Sequence, residues 1–120
     1  MSDAGHGDRD PVSGIERRDG AVVVSLAGEL DLYNAPALRT ALMAECSAGP
    51  ERLVVDLSAV EFIDSTALGV LIEARRRLGE NDRFLLASPQ METRRALRIS
   101  GLDKHFGVHD TVDAALSAEA

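Results

Sequence analysis

Residues 53–74, LVVDLSAVEFIDSTALGVLIEA, decide the fold class of this chain. The first five residues are aliphatic apart from one aspartate, a pattern typical of a strand that is buried on both faces of a sheet. From Ala67 onward, apolar residues recur at helical spacing, at Leu71, Ala74 and Leu78. A strand that leads through a short turn into a helix is half of a β-α-β unit. The stretch therefore predicts parallel strands joined by right-handed helical crossovers.

The residues before this stretch predict a β-hairpin followed by a helix. Residues 15–18 and 21–27 are expected strands, because they flank Asp19-Gly20, a dipeptide that tolerates positive φ and favours a two-residue turn. A helix is expected to begin between residues 34 and 36 and to end before Gly49-Pro50. Its buried face is predicted to carry residues at helical spacing: Leu38, Ala41, Leu42 and Cys46.

The residues after the stretch predict a strand at 83–87, a helix at 91–100 and a short edge strand near 105–108. A last helix is expected to begin after Asp110 or Thr111, since both residue types favour helix starts. The predicted order is thus two strands and a helix, followed by strands and helices in alternation.

This order places the chain in the α/β class. We expect a single domain with a mixed, mostly parallel β-sheet, an opening antiparallel hairpin and about four α-helices. The domain is expected to span residues 15–117, after a flexible N-terminal tail at 1–14 and before a short C-terminal end at 118–120. The tail is polar and contains too few apolar residues to offset its ordering entropy.

The composition narrows the functional classes. Thirteen basic and 20 acidic residues among 120 give a net charge of −7, which argues against nonspecific binding to nucleic acid or to an anionic membrane. One tyrosine, three phenylalanines and no tryptophan argue against an aromatic-lined ligand pocket. No apolar run is long enough to cross a bilayer, and the single cysteine, Cys46, indicates a reducing compartment. We therefore expect a cytoplasmic protein.

Few residues suit catalysis or metal binding. The chain has no G-x-S-x-G nucleophile motif and no glycine pattern of a phosphate-binding loop. His105 and His109 have the i, i+4 spacing of a helical metal site, but the residues between them predict a strand and a turn. The sequence therefore predicts no catalytic residue, no metal site and no cofactor.

Arginine clusters in two predicted helices are interpreted as solvated faces. In the first helix, Glu73 lies four residues before Arg77, at pairing distance. In the second, Arg94 and Arg98 share one face and remain a candidate for partner contact.

The turn Asp64-Ser65-Thr66 is the main candidate site. All three residue types favour helix starts, because their side-chain oxygens accept hydrogen bonds from unpaired backbone N–H groups. One helix start needs only one such residue, however, and the surroundings are acidic. A hydroxyl at this position is exposed, and a phosphate on it would face the positive end of the helix dipole. From these residues alone, two interpretations of the turn therefore remain open: a helix cap and a phosphorylation site.

Three segments carry a family resemblance: GELD at 28–31, LVVDL at 53–57 and IDSTALG at 63–69. With these segments in the predicted order of elements, the chain resembles the bacterial anti-sigma factor antagonists, small single-domain members of the STAS superfamily. The resemblance covers about residues 15–116.

The resemblance implies a non-enzymatic partner switch. The unphosphorylated protein would bind an anti-sigma factor that is also a serine kinase with a GHKL-type ATP-binding fold, and the sigma factor would be released. The kinase would phosphorylate Ser65, with Thr66 as the alternative acceptor, and a PP2C-type phosphatase would reverse the reaction. By motif position, the expected partner-binding surface comprises Asp31, Asp64, Ser65, Thr66 and Leu68.

One departure from the family is Ala67, where many relatives have glycine. Alanine favours the helix and is expected to place a methyl group beside the acceptor hydroxyl, which would slow or redirect phosphorylation. The scarcity of aromatic residues further predicts an interface without large apolar anchors.

Two alternatives to this switch remain. The first, also a binding module, is a STAS subunit of a stressosome-like scaffold or a transporter-associated regulator. The second is an enzyme, a small nucleotide or phosphate-ester hydrolase. The hydrolase hypothesis is disfavoured because the sequence offers no base, metal ligands or phosphate-binding loop for it.

Overall fold

The computed structural model describes residues 10–79 and 83–118. Within these ranges, five strands form one sheet in the order β1-β2-β3-β4-β5. The strands are β1 (Val12–Arg18), β2 (Ala21–Leu30), β3 (Arg52–Ile63), β4 (Phe84–Ala87) and β5 (Gly107–His109). The helices are α1 (Ala35–Ser47), α2 (Ser65–Leu78), α3 (Met91–Ile99) and α4 (Val112–Ser117), with a 3-10 turn at Leu102–Lys104. β1 is antiparallel to β2 and the other neighbouring pairs are parallel, which confirms the predicted mixed sheet.

The β1–β2 hairpin has the predicted Asp19-Gly20 turn. Both residues have positive φ, 47° and 88°, as the two-residue turns of right-twisted hairpins require. β1 begins at Val12, so the predicted tail at 1–14 was too long at its C-terminal end. Val12 pairs with Leu26 and packs against the core, and these contacts order a segment whose composition alone predicts a tail. The first nine residues of that tail lie outside the described residues.

β2 and β3 run beyond the predicted strands, to Leu30 and Ile63. Their register is interrupted just after Ser25, where β3 carries an extra residue, so the regular alternation of side chains ends where the predicted strands ended. The strands pair again from Ala27, the register shifts a second time between Gly28 and Glu29, and the pairing ends with Leu30 beside Ile63. Because β2 and β3 are parallel, their carboxyl ends bring the GELD and IDSTALG segments to the same edge of the sheet.

β2 and β3 are buried on both faces, as predicted. Val22 and Val24 belong to the main core with residues of α1 and α2, whereas Val23 belongs to a smaller cluster with Ala115 of α4. Side chains with almost no exposed surface fill this interior: Leu26, Leu30, Leu38, Leu42, Leu53, Leu57, Leu71, Leu85, Leu86 and Leu97.

Cys46 lies in the main core, where its thiol donates to the backbone oxygen of Ala74 at 3.6 Å. Burial raises the pKa of this thiol, so its neutral form is favoured. Among the helices of the described ranges, none is both long and apolar enough to cross a membrane.

An ion pair joins the exposed surfaces of α1 and α2. Arg39 donates through Nε and Nη2 to the two carboxylate oxygens of Glu73, at 2.8 and 2.6 Å. The predicted pairing of Glu73 with Arg77 on the same helix is the weaker of its two interactions, since Arg77 acts on Glu73 through its charge and Arg39 acts through hydrogen bonds as well. The hydrogen bond and charge of Arg39 lower the pKa of Glu73.

Candidate partner-binding site

Asp64 joins two elements at the carboxyl edge of the sheet. Its Oδ1 accepts a hydrogen bond from the backbone N–H of Ala67 at 3.0 Å, which caps α2. Its Oδ2 accepts from the backbone N–H of Leu32, also at 3.0 Å, in the loop between β2 and α1. The Asp64 N–H itself donates to the backbone oxygen of Leu30. A single carboxylate therefore holds the loop against the start of the helix.

Ser65 is the first residue of α2, and both Ser65 and Thr66 are exposed. Asp64 alone acts as the cap, so the two hydroxyl residues are not needed to start the helix. Within the described residues, no hydrogen bond occupies the backbone N–H groups of Ser65 and Thr66. These amides and the helix dipole favour an anion at this end of α2.

The loop from Asp31 to Asn34 is held by its own side chains. Asp31 Oδ1 accepts from the N–H groups of Tyr33 and Asn34, at 3.0 and 3.3 Å. Asn34 Oδ1 accepts from the Asp31 N–H at 2.9 Å, and its amide group donates to the backbone oxygen of Glu29 at 2.8 Å. Asn34 is only 6% exposed. Asp31 of the GELD motif thus holds the loop by bonding to its backbone. The sequence predicted a contact residue here and did not predict this structural role.

Two residues of the predicted first turn face inward. Leu68, expected in the partner-binding surface, is 7% exposed and packs in the main core, so the structure does not place it on the contact surface. Ala67 is fully buried, and its methyl group lies in the core instead of beside the Ser65 hydroxyl. Both follow from the helical spacing, because positions 67, 68 and 71 form one buried stripe on α2.

Three large side chains are exposed in the segments that lead to Asp64 and Ser65, the β2–α1 loop and the end of β3. Leu32 is 59%, Tyr33 76% and Phe62 51% exposed. The interface without large apolar anchors stays a prediction, although these exposed side chains do not favour it. Their exposure could not be predicted, because it depends on the conformation of the loop and on strand pairing beyond residue 57.

Acidic side chains border this apolar surface. Glu29 and Glu61 are exposed near the ends of β2 and β3, and Asp31 and Asp64 are partly exposed. We use the name Ser65 surface for the region made by Leu32, Tyr33, Phe62, Ser65, Thr66 and these four acidic residues. It combines exposed apolar side chains, two hydroxyl groups and four carboxylates.

The two histidines and two arginines that were the other candidate residues lie outside the Ser65 surface. His105 follows the 3-10 turn and His109 ends β5, so the two do not share a helix. Among the described residues, no three or more His, Cys, Asp or Glu side chains form a group that could hold a metal ion. Arg94 and Arg98 are both exposed, and Arg94 also pairs with Asp110 at 3.2 Å.

Comparison with known proteins finds relatives that are named anti-sigma factor antagonists. The chain is 37% identical over 99 residues to the anti-sigma-F factor antagonist RsfB of Mycobacterium tuberculosis, which covers 82% of this chain and 81% of the relative. It is 36% identical over 62 residues to an anti-sigma-B factor antagonist of Staphylococcus epidermidis, over 52% of this chain and 57% of the relative. The crystal structure of an anti-sigma factor antagonist from Mycobacterium paratuberculosis superposes with a TM-score of 0.83 and 40% identity, covering 90% of this chain and 93% of that one.

The family model of the STAS domain matches residues 14–115, from β1 into α4. The matched range includes the whole Ser65 surface. Together with the relatives, this match shows that the chain belongs to the STAS domain family.

Proposed function

We propose that this chain is an anti-sigma factor antagonist that acts by binding and not by catalysis. In its unphosphorylated form it binds an anti-sigma factor with a GHKL-type serine kinase fold, and a sigma factor is released in the cytoplasm. The names of the relatives support this proposal. The single observation that carries it is Ser65, an exposed hydroxyl that starts α2 beside the Asp64 cap without having to serve as the cap itself.

Phosphorylation of Ser65 ends the binding. The kinase moves the terminal phosphoryl group of ATP to Ser65 Oγ, the hydroxyl proton leaves to the kinase base, and ADP departs. The product adds about −1.5 to −2 charges to a surface that already carries Asp64 and Glu61. A docked partner would have to desolvate this charge, so the complex is weakened. The unpaired amides at the start of α2 favour the phosphate, so the helix need not unfold.

A PP2C-type phosphatase restores the binding form by hydrolysing the phosphoserine. We propose Ser65 as the acceptor in preference to Thr66 because Ser65 directly follows the motif aspartate, Asp64. Both hydroxyls are exposed, so burial does not separate them.

The test uses the purified anti-sigma factor kinases of the organism that encodes the chain, each incubated with ATP and the wild-type protein. We expect one phosphate, located on Ser65 by mass spectrometry, and loss of the complex on gel filtration. Ser65→Ala should bind without being phosphorylated, whereas Thr66→Ala, which removes the neighbouring hydroxyl, should still be phosphorylated on Ser65. Phosphate on the Ser65→Ala variant would contradict the assigned acceptor.

A further inference from the structure

We propose that a cleft between α2 and the 3-10 turn is a binding site for a small organic carboxylate that carries an apolar tail. The cleft has a volume of about 200 Å³ and is lined by six residues: Ile72, Arg75, Arg76, Leu102, His105 and Phe106. Sites for drug-sized ligands have volumes of roughly 300–1,000 Å³. The cleft therefore fits a small molecule better than a helix of a partner protein.

The apolar lining of the cleft is held in place by the core. Phe106 is only 4% exposed, and the centroid of its ring lies 5.9 Å from that of Phe84. Ile72 and Leu102 are half-buried and pack against the main core. Because these side chains are already fixed, little conformational entropy is lost when an apolar tail contacts them.

The polar lining of the cleft is basic. Arg75 and Arg76 follow Ile72 at helical spacing, so the three side chains share one face of α2. In the part of the chain that the structure describes, neither guanidinium group has an ion pair or a side-chain hydrogen bond, and no aspartate or glutamate lines the cleft. Guanidinium groups with free N–H donors match the two oxygens of a carboxylate, and the His105 imidazole adds a further polar group.

The two arginines are not needed to end the helix. Basic residues in a last helical turn are often explained by the negative end of the helix dipole and by its free carbonyl groups. In this chain Arg83 already donates to the backbone oxygen of Leu78 at 2.9 Å. Arg77, the third arginine of the run, is exposed and does not line the cleft, so the interpretation as a solvated face remains for that residue. The same dipole favours a carboxylate over a phosphate, which would bring more negative charge to this end of α2.

The cleft is separate from the Ser65 surface. Arg76 lies eleven residues after Ser65 on α2, which is roughly 16 Å along the helix axis. The net charge of −7 repels anions from the chain as a whole, so binding of a carboxylate depends on the guanidinium groups of the cleft. A ligand in the cleft leaves Ser65 uncovered, and its binding can be tested whether or not the proposed function is correct.

The test is a titration of the wild-type protein with three probes at constant pH and ionic strength, followed by the NMR shifts of its amide groups. Hexanoate supplies both the carboxylate and the tail, acetate supplies only the carboxylate, and hexanol supplies only the tail. We expect saturable shifts with hexanoate, centred on Ile72, Leu102 and Phe106, and a dissociation constant of about 1 mM. Acetate and hexanol should bind at least about tenfold more weakly.

Three variants test the role of the guanidinium groups. Arg75→Gln and Arg76→Gln should each weaken the binding of hexanoate by about tenfold, since each removes a charged hydrogen-bond donor. Arg77→Gln is the matched control, because it removes the same charge from the next position of α2 and leaves the cleft intact. It should bind hexanoate within about twofold of the wild type, and circular dichroism should show the same fold for all three variants.

Three results would overturn the inference. Hexanoate shifts that do not saturate, or that lie outside the cleft, would show that the cleft does not bind this class of ligand. Acetate or hexanol that binds as tightly as hexanoate would show that the basic and apolar linings do not act together. Equal losses in Arg77→Gln and in the two cleft variants would assign the binding to the overall charge of α2.

Discussion

At the scale of single residues, the polar side chains near Ser65 act mainly on the backbone of their own chain. Asp31, Asn34 and Asp64 together accept or donate the hydrogen bonds that hold the β2–α1 loop and start α2. The family motif predicted the positions of both aspartates but assigned them to the contact surface. Residue type and motif position identify a site, whereas the direction in which a carboxylate points depends on the folded backbone around it.

Replacement of Asn34 tests how far the loop depends on one side chain. Asn34→Ala removes the acceptor of the Asp31 N–H and the donor to the Glu29 oxygen in a nearly buried position, so we expect the free energy of unfolding to fall by about 1–3 kcal/mol. Amide hydrogen exchange at Leu32 and Tyr33 should become faster. Urea denaturation and exchange mass spectrometry measure these two effects.

The control for this variant is Thr40→Ala on the exposed side of α1, where the hydroxyl donates to the Pro36 oxygen. It should change the free energy of unfolding by less than about 0.5 kcal/mol and leave the exchange of the loop amides unchanged. If Asn34→Ala has no larger effect than Thr40→Ala, Asn34 does not stabilise the loop, and the hydrogen bonds to Asp31 and Asp64 are enough to hold it.

At the scale of elements, most of the fold could be predicted, and the misses have physical causes. The Asp19-Gly20 turn, the start of α2 and the order of strands and helices follow from local residue patterns. The end of β3 could not be predicted from such patterns, because the extra residue after Asp56 breaks the alternation of side chains on which strand prediction depends. Phe62 was consequently missed as a surface residue, since its exposure depends on strand pairing and not on neighbouring sequence.

The α1–α2 ion pair makes a pH-dependent contribution to stability. Arg39 lowers the pKa of Glu73 below 4.5 in the folded protein. The stabilisation is therefore present above the unfolded-state pKa and is lost as the pH falls through the lowered value. Wild type should be slightly more stable than Glu73→Gln near neutral pH, and the difference should vanish in acid. Urea denaturation across a pH series measures it, and the effect is small because both side chains are exposed.

The background variant Arg39→Gln is the control for this prediction. Without the Arg39 guanidinium, adding Glu73→Gln should produce a smaller pH-dependent loss, since only the charge of Arg77 then acts on Glu73, and the double-mutant cycle measures this reduction directly. An equally large pH-dependent difference in the Arg39→Gln background would show that Arg39 is not the main partner of Glu73.

At the scale of the whole molecule, the parallel sheet concentrates function at one end. The carboxyl ends of β2 and β3 carry the Ser65 surface, while the opposite end carries the β1–β2 hairpin and the Arg17–Glu45 ion pair. The net charge of −7 is spread over the chain, but its effect on binding depends on the carboxylates at the docking end. Long-range attraction should therefore speed the approach of a basic partner, whereas the short-range contacts made after docking should slow its departure.

Salt separates these two contributions. We expect the association rate constant with the anti-sigma factor, measured by stopped flow, to fall by about tenfold between low and high ionic strength, because the Debye length shrinks to about 3 Å at 1 M salt. Glu61→Gln removes one border charge and should reduce this salt dependence, whereas the matched variant Glu51→Gln, before β3 at the other end of the sheet, should leave it unchanged. The dissociation rate constant should change much less with salt, since it depends on the short-range contacts of the docked complex. Equal salt dependence in the Glu61 and Glu51 variants would show that the overall charge steers the encounter, and the acidic border would then have no special role.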